Sequence, residues 1–188
     1  FATRLIARGL ATQEMALRRQ LDAAVDQAGF VAAAIVDGRY LFSEPALADF
    51  ISGTIAVASQ IGAIILVDSS GKALRVVRNK TDTEFGLERW DTTGDRQLAG
   101  IAEEIRARRS PYWGPPVYRE QVQTTILNYR FPIWKADQYV GFLAIAVSTR
   151  SLSKLATELS EPPRSVAFML YGGDRILAHP SASLEGND

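Results

Sequence analysis

The sequence contains no cysteine and only one histidine in 188 residues. The absence of cysteine excludes disulfides, thiolate metal sites and cysteine nucleophiles. The single histidine, His179, precedes Pro180 at a predicted strand end, which indicates a structural turn residue rather than a catalytic one. A metal site would have to be built from carboxylates alone. We therefore expect no metal and no cofactor.

The chain also lacks an excess of charge and a long apolar run. Lys plus Arg and Asp plus Glu each number 21, so the net charge is zero and nothing favours nucleic acid as a partner. No apolar run reaches the roughly 18–20 residues that a membrane-spanning helix needs, and no signal peptide is present. Because the sequence begins at Phe1 without Met, we interpret it as a piece of a larger protein whose membrane anchors lie outside it.

No catalytic motif is present either. The sequence has no Gly-x-Ser-x-Gly elbow, and Gly71-Lys72 lacks the preceding glycine of a phosphate-binding loop. Glu103 and Glu104 stand between arginines on a predicted helix and are typical of a solvated surface. A small hydrolase or transferase would need titratable groups clustered in a cleft, so we predict that this chain is not an enzyme.

A long helix is predicted over residues 3–36, which contain no proline. Its apolar residues recur mostly at three- and four-residue steps, which is the pattern of one amphipathic stripe. These positions are Leu10, Leu17, Leu21, Ala24, Ala28, Val31 and Ile35. At 1.5 Å per residue the helix would be about 45 Å long, more than one small domain needs. It either packs on its own domain alone or also pairs with a second protomer, and the pattern leaves both open.

The next segment alternates between helical and strand patterns. Ser43 is expected to cap a second helix with Pro45 in its first turn. The buried face of that helix would carry Leu47, Phe50, Ile51 and Ile55. Residues 63–77 predict a β-hairpin with a turn at 68–71 and a central first strand. Residues 79–94 are polar without periodicity and predict a loop, whereas 95–109 return to the helical period.

The stretch from Pro111 to Ser148 organises the remainder of the chain. Its first three prolines predict a stiff loop in which Gly114 allows close backbone approach, and residues 123–135 and 139–148 predict adjacent antiparallel strands. Gly141 would be the point where another backbone or a ligand comes close. A short helix is predicted over 150–159, a linker over 161–164 and a second hairpin over 165–180.

The order of these parts resembles the Cache sensors, the extracytoplasmic PAS-like domains of bacterial signalling proteins. The matching parts are the Trp-x-x-Pro loop at 113–116, Phe131-Pro-Ile133, the strand at 141–146 and the helix at 151–155. The resemblance implies an α/β fold of the α+β kind, with a PAS-like antiparallel sheet of about five strands. The long N-terminal helix would pack along this sheet.

Double Cache sensors carry two PAS-like units in tandem. The resemblance therefore implies that residues 1–160 form the membrane-distal unit. Residues 161–188 would then be a linker and the start of a second PAS-like unit.

The resemblance also implies a location on the periplasmic, extracytoplasmic side of the bacterial inner membrane. Residues 127–132, 168–173 and 176–180 look similar to sensor regions of bacterial adenylate or guanylate cyclases. We expect a sensor domain of a nucleotide cyclase receptor, which binds a small molecule in a PAS-like pocket and signals through the N-terminal helix. The alternative is a ligand-free dimerisation or scaffold module of a histidine kinase or chemoreceptor.

The candidates for lining a ligand pocket are mostly aromatic residues with polar tips. They are Trp113, Tyr112, Tyr118, Tyr129, Arg130 and Trp134. Strand alternation places Tyr129 and Arg130 on opposite faces, so most of the set can equally belong to the core. Trp113 differs because it lies in the proline-stiffened loop, where a PAS-like domain would cover its cavity.

Many amino-acid-sensing Cache domains hold their ligand with an Arg, a Trp-Tyr pair and an Asp on a later strand. Arg109 and Tyr112-Trp113 match the first two in part, with the aromatic order reversed, but residues 141–147 contain no Asp. A buried α-amine would then lack its carboxylate partner. We predict that this chain does not bind ordinary amino acids in that mode.

Overall fold

The structure, a computed structural model, describes residues 2–79, 84–119, 124–160, 166–171, 175–179 and 181. These residues form two compact units. The larger unit contains Ala24–Pro115 and Leu127–Val147, and the smaller one draws on Phe1–Ala23, Pro116–Ile126 and Ser148–Asp188. The predicted linker at 161–164 and the Gly-Gly turn at 172–174 lie outside the described residues. The boundary between residues 160 and 161 therefore stays a prediction.

A single helix, α1, runs over Ala2–Val36, close to the predicted range of 3–36. Its second half belongs to the larger unit and buries one stripe of mostly small side chains. The members of this stripe are Ala24, Ala28, Val31, Ala32, Ala34 and Ile35. The residues whose spacing predicted an amphipathic helix are thus, in this half of α1, the residues that are buried. No helix in the described part of the chain is long and apolar enough to cross a membrane.

The second helix, α2, spans Pro45–Val57 and packs its apolar face inward. Phe50 is half-buried, and its ring lies 5.4 Å from that of Phe30 in α1. The prediction that Ser43 caps α2 is wrong, because Glu44 is the N-cap residue and makes no side-chain capping bond. Pro45 at the first helical turn has no N–H to satisfy, which reduces the need for a side-chain cap.

The antiparallel sheet predicted by the resemblance is present, and the α+β fold class is confirmed. Its described strands are β1 (Ile61–Asp68), β2 (Lys72–Arg78), β3 (Phe85–Asp91), β4 (Tyr112–Trp113), β5 (Val117–Arg119), β6 (Thr124–Lys135) and β7 (Gln138–Ser148). Their order is β3-β2-β1-β7-β6-β4, with β5 paired to β6. The described residues thus form seven strands rather than about five, since three strands lie in stretches predicted to be loops.

Strand β3 corrects the prediction of a loop over 79–94. It is the edge strand beside β2, and in the described part of the chain no other strand pairs with its outer side, so polar and charged residues are tolerated there. Glu88 lies opposite Arg75 in the register, and the two side chains form an ion pair at 2.5 Å. The polar residues that suggested a loop are of the kind that protects an edge strand from pairing with another chain.

The helices of the larger unit cover both faces of the sheet. Helix α3 (Arg96–Arg108) begins at Asp95, whose carboxylate accepts from the N–H groups of Gln97 and Leu98. Its Ile105 packs in one apolar cluster with Val67 of β1 and Phe142 of β7. The opposite face of the sheet meets α2, where Arg78 of β2 donates to the carbonyl groups of Ile55 and Ala58 at the helix end.

The smaller unit contains the remaining described elements. Helix α4 spans Thr149–Glu158 and begins at Ser148, whose hydroxyl accepts from the N–H of Ser151 at 3.3 Å. Strands β8 (Met169–Tyr171) and β9 (Arg175–Ala178) pair antiparallel in a separate small sheet. The second hairpin predicted over 165–180 is therefore confirmed for its strands.

Gly141 of β7 has the close backbone approach that the sequence predicted. Its φ is +150°, and a Cβ built on it would lie 2.2 Å from the carbonyl oxygen of Val67 and 2.9 Å from Cα of Asp68. Both atoms are backbone of the neighbouring strand β1, so they cannot turn aside. The glycine at this position is what allows β1 and β7 to pair at the centre of the sheet.

We predict that Gly141→Ala lowers the free energy of unfolding by roughly 2–4 kcal/mol, because the new methyl group clashes with backbone in a strained conformation. Gly53→Ala in the exposed middle of α2 is the matched control, since a Cβ there meets nothing within 4 Å. That control should gain up to about 1 kcal/mol from better helix propensity. Urea unfolding of both variants measures the difference, and equal stability of the two would contradict this explanation.

Candidate functional site

The pairing of β4 with β6 decides where the predicted pocket residues lie. Tyr112 is directly opposite Arg130, and Trp113 is directly opposite Tyr129. Directly opposed residues share a face of the sheet, whereas successive residues alternate between faces. Tyr112 and Arg130 therefore lie on the face covered by α3, and Trp113 and Tyr129 lie on the other face.

Arg130 is the central charged group on the α3 face. Its side chain is only 8% exposed, and Nη1 donates to Glu104 Oε2 of α3 at 2.9 Å and to the Tyr112 hydroxyl at 3.1 Å. A buried charge is tolerated only when it is paired and hydrogen-bonded, and Glu104 supplies that pairing. Within the described residues, Nε and Nη2 of Arg130 have no hydrogen-bond partner.

Gly114 provides the space that this guanidinium occupies. A Cβ at Gly114 would lie 2.9 Å from Nε and 3.0 Å from Cζ of Arg130. The N–H of Gly114 donates to the carbonyl of Asn128 at 2.8 Å, which holds the loop against β6. The stiff loop that follows Trp113 thus forms a backbone wall against which Arg130 lies.

Three further arginines surround this centre at the carboxyl end of α3. Each places its guanidinium over an aromatic ring: Arg108 over Tyr112 at 4.3 Å, Arg109 over Trp134 at 4.2 Å, and Arg106 over Tyr139 at 5.5 Å. Glu104 also pairs with Arg108 at 3.4 Å, and the fully exposed Asp137 pairs with Arg109 at 3.5 Å. Positive charge exceeds negative charge on this face.

Two polar atoms in the same region are buried without a hydrogen-bond partner among the described residues. They are Nε1 of Trp134 and the hydroxyl of Tyr139, whose rings lie 5.2 Å apart in an edge-on arrangement. Burial raises the pKa of Tyr139 to about 12. Burial also raises the pKa of Tyr112, against the opposing effect of the hydrogen bond from Arg130. Both hydroxyls therefore stay protonated near neutral pH.

The other predicted residues do not join this group. Trp113 packs against Tyr129 with ring centroids 5.1 Å apart, and burial raises the pKa of the Tyr129 hydroxyl. Tyr118 is 60% exposed and belongs to the smaller unit. The structure thus brings Tyr112, Arg130 and Trp134 to one face of the sheet and separates them from Trp113, Tyr129 and Tyr118. The ligand-lining role of all six stays a prediction.

Several residues of this region were not selected from the sequence. Glu104 was interpreted as solvated surface, but it is the carboxylate that pairs with the buried Arg130. Its spacing from Arg108, four residues along the same helix, is the one signal that could have marked it. Tyr139 has no signal of this kind, because its role depends on neighbours that are distant in sequence.

A separate groove lies at the ends of strands β1, β2 and β3, with a volume of about 520 Å³. Its lining residues are Phe42, Ser43, Asp68, Lys72, Ala73, Leu74, Arg89, Trp90 and Asp91. None of the predicted pocket residues contributes to it. This groove was not predicted from the sequence, because part of its wall comes from β3, which was predicted to be a loop.

Metal ligands do not cluster in the described residues, where no group of three or more His, Asp or Glu side chains could hold an ion. The ring of His179 accepts from the N–H of Ser181 through Nδ1 at 2.9 Å and contacts Phe168, with ring centroids 6.1 Å apart. The role of His179 as a structural turn residue stays a prediction.

We predict that the stability of the protein falls as the pH rises from about 10 to about 12, in part because of Tyr139. Its pKa is higher in the folded chain than the ordinary value of 10, so the unfolded chain loses the proton first and is favoured as the pH rises. Below pH 10 this contribution is fully present.

The variant Tyr139→Phe should lack this part of the pH dependence. Near neutral pH the free energy of unfolding of this variant should lie within about 1 kcal/mol of the wild-type value, because the hydroxyl it loses has no hydrogen-bond partner among the described residues. Tyr118→Phe, which alters an exposed side chain, is the control. Thermal unfolding between pH 7 and 12 measures both, and a variant that tracks the wild type above pH 10 would refute the assignment.

Comparison with known proteins gives structural neighbours only. No protein-family profile and no curated sequence matches this chain. The extracellular domain described for a histidine kinase, vpHK1S-Z8, is 16% identical over 97% of this chain and 71% of that chain, with a TM-score of 0.78.

Two chemoreceptor domains also match. The ligand-binding domain of PctC from Pseudomonas aeruginosa, in complex with GABA, is 16% identical over 98% of this chain and 78% of that chain, with a TM-score of 0.68. That of CtaA from Pseudomonas fluorescens, in complex with L-serine, is 19% identical over 98% and 74%, with a TM-score of 0.66. The chain therefore has the fold of the extracellular sensory domains of histidine kinases and chemoreceptors, as its resemblance to Cache sensors predicted.

Proposed function

We propose that this chain is the extracytoplasmic, periplasmic ligand-sensing domain of a bacterial membrane signalling protein. The single observation that carries the proposal is the buried Arg130, which lies between the sheet and α3 with only part of its hydrogen-bonding capacity used. A guanidinium of this kind suits a planar anion, because its donors match two carboxylate oxygens at once. The proposed ligand is a small carboxylate.

The charge balance around Arg130 supports an anion rather than a cation. Four arginines share this region with two carboxylates, Glu104 and Asp137, so a further negative charge reduces repulsion among the arginines. The aromatic rings of Tyr112 and Trp134 line the same face and offer apolar contact to the remainder of a ligand. The described residues of this face carry no excess of negative charge that would attract an amine.

Glu104 acts in this proposal as an internal substitute for the ligand. It holds Nη1 of Arg130 while its own side chain is 43% exposed and also pairs with Arg108. A ligand carboxylate can therefore replace it at Arg130, and Glu104 keeps a partner when it moves away. Because Glu104 belongs to α3 and Arg130 to β6, this exchange removes the ion pair that joins the helix to the sheet. A ligand that binds one arrangement more tightly shifts the population between the two.

Strand β7 carries no carboxylate, so it offers no anionic partner for the amine of an amino acid at this site. The strand from Tyr139 to Val147 contains no Asp or Glu. PctC and CtaA were solved with GABA and L-serine, but we expect a different preference here. An amino acid should bind no better than the acid of the same skeleton that lacks the amine.

The parent protein and the assembly are proposed on the resemblance alone. Residues 127–132, 168–173 and 176–180 suggest a nucleotide cyclase as the output domain, whereas the structural neighbours described above are histidine kinases and chemoreceptors. Membrane anchors outside this segment and a homodimer formed through α1 complete the proposal. In this arrangement a movement of α1 carries the signal to the output domain.

A ligand-free dimerisation or scaffold module is the second candidate function. One observation favours it: Arg130 already has Glu104 and Tyr112 as partners, and Trp113 already packs on Tyr129. In that case the ion pair between α3 and β6 is purely structural. The two functions differ in whether any carboxylate competes with Glu104.

We predict that propionate and isovalerate bind at least as tightly as L-alanine and L-valine in calorimetric titrations. Arg130→Met should weaken carboxylate binding by about tenfold or more, because it removes a charge-assisted pair of hydrogen bonds. Glu104→Gln should strengthen it by roughly three- to tenfold, since the competing negative charge is lost. Arg150→Met on the exposed surface of α4 is the control and should change nothing.

The outcomes separate the two functions. Tighter binding by Glu104→Gln supports exchange at Arg130. Amino acids that bind more tightly than their deaminated acids would contradict the proposed preference, and a complete lack of carboxylate binding by both wild type and Glu104→Gln would favour the scaffold.

A further inference from the structure

The groove at the ends of β1, β2 and β3 has no part in the proposed function, and it is large enough for a small molecule. Its volume of about 520 Å³ falls inside the usual range of roughly 300–1,000 Å³ for ligand pockets. Its lining residues all belong to the larger unit. It lies on the sheet face that meets α2, because Leu74 and Arg89 are opposed in the register and point away from the α3 cluster.

The groove has an apolar floor and a charged rim. Leu74 forms the floor and is 2% exposed, whereas the side chain of its neighbour Ala73 packs in the α3 cluster on the other face of the sheet. Lys72 and Asp91 are opposed in the register of β2 and β3, and both are exposed at the rim with Arg89 and Ser43. Two carboxylates, Asp68 and Asp91, balance the two cations, so the lining carries no net charge.

The charged residues at the rim use only part of their hydrogen-bonding capacity within the described part of the chain. Both donors and acceptors there remain available to a ligand. Asp68 uses only Oδ1, which accepts from Ser70 and from the N–H of Lys72 at 2.9 Å. Asp91 accepts from the N–H of Thr93 through Oδ1 at 2.7 Å, and hydrogen bonds from the side chain and the backbone of Thr93 lower the pKa of its carboxyl group. The ammonium of Lys72 has no hydrogen-bond partner in the described part of the chain.

We propose that this groove is a second ligand site and that it takes a neutral polyhydroxylated molecule of the sugar class. A sugar ring has an apolar face and a polar edge, which match the apolar floor and the charged rim. Each hydroxyl group both donates and accepts, so adjacent hydroxyls satisfy the carboxylates and the ammonium together. A ligand with net charge would be attracted by one pair of rim residues and repelled by the other.

The roof of the groove connects the site to α1. Phe42 and Ser43 lie in the segment that joins α1 to α2, and Arg89 of β3 donates to the carbonyl groups of Phe42 at 3.2 Å and Glu44 at 3.3 Å. A ligand held between the rim and this segment stabilises the position of the segment. Occupation of the groove therefore acts next to the end of the long helix, on the sheet face opposite Arg130.

The experiment titrates the full 188-residue chain with D-glucose and myo-inositol. Glycine betaine, putrescine and succinate are the charged or zwitterionic comparisons. Saturation-transfer NMR and calorimetry measure binding to the wild type, Asp91→Asn, Lys72→Met and two controls. Glu88→Gln lies on the same strand but faces the other side, where it pairs with Arg75. Arg130→Met reports on the other site.

We expect at least one of the two polyols to bind, and Asp91→Asn and Lys72→Met each to weaken that binding by about tenfold. Glu88→Gln and Arg130→Met should leave it unchanged. Preferential binding of glycine betaine would overturn the sugar class, and binding lost in Arg130→Met would move the ligand to the other face. Silence of both polyols would refute the site, whatever happens with carboxylates at Arg130.

Discussion

A positive charge held out of water between β6 and α3 sets the main constraint on the larger unit. The side chain of Arg130 is 8% exposed, so the helix that covers it must present a carboxylate. The neighbouring loop must also leave room for the guanidinium group. Glu104 meets the first requirement and Gly114 the second. The buried guanidinium and its partners thus link α3, β6 and the loop that follows β4.

Much of the architecture could be predicted from the sequence because periodicity is local. The three- and four-residue spacing of Ala24, Ala28 and Val31 marked α1, and the apolar run of β1 marked a central strand. Strand β3 was not predicted, because an edge strand can have the same polar composition as a loop. Ser43 was a reasonable cap by residue type, but Pro45 fixes the start of α2 one residue later.

The site was less predictable because it depends on register between distant segments. Alternation along β6 correctly put Tyr129 and Arg130 on opposite faces. The sequence could not show that Tyr112 lies opposite Arg130, nor that Glu104 reaches both from another element. Six candidates chosen for aromatic and polar character were therefore divided between two faces and two units. The groove under Phe42 and Ser43 could not be predicted either, because its walls come from segments that are distant in sequence.

The most direct test of the central claim observes the Arg130 side chain itself. The Nε–Hε signal of Arg130 can be assigned in nitrogen-15 NMR spectra by its loss in Arg130→Met and then followed during titration with acetate, propionate, isovalerate and succinate. The proposal predicts a saturable shift of this signal with at least one of these acids, together with a change at the side chain of Glu104. An Arg130 signal that stays fixed while every acid is added to saturation would contradict it.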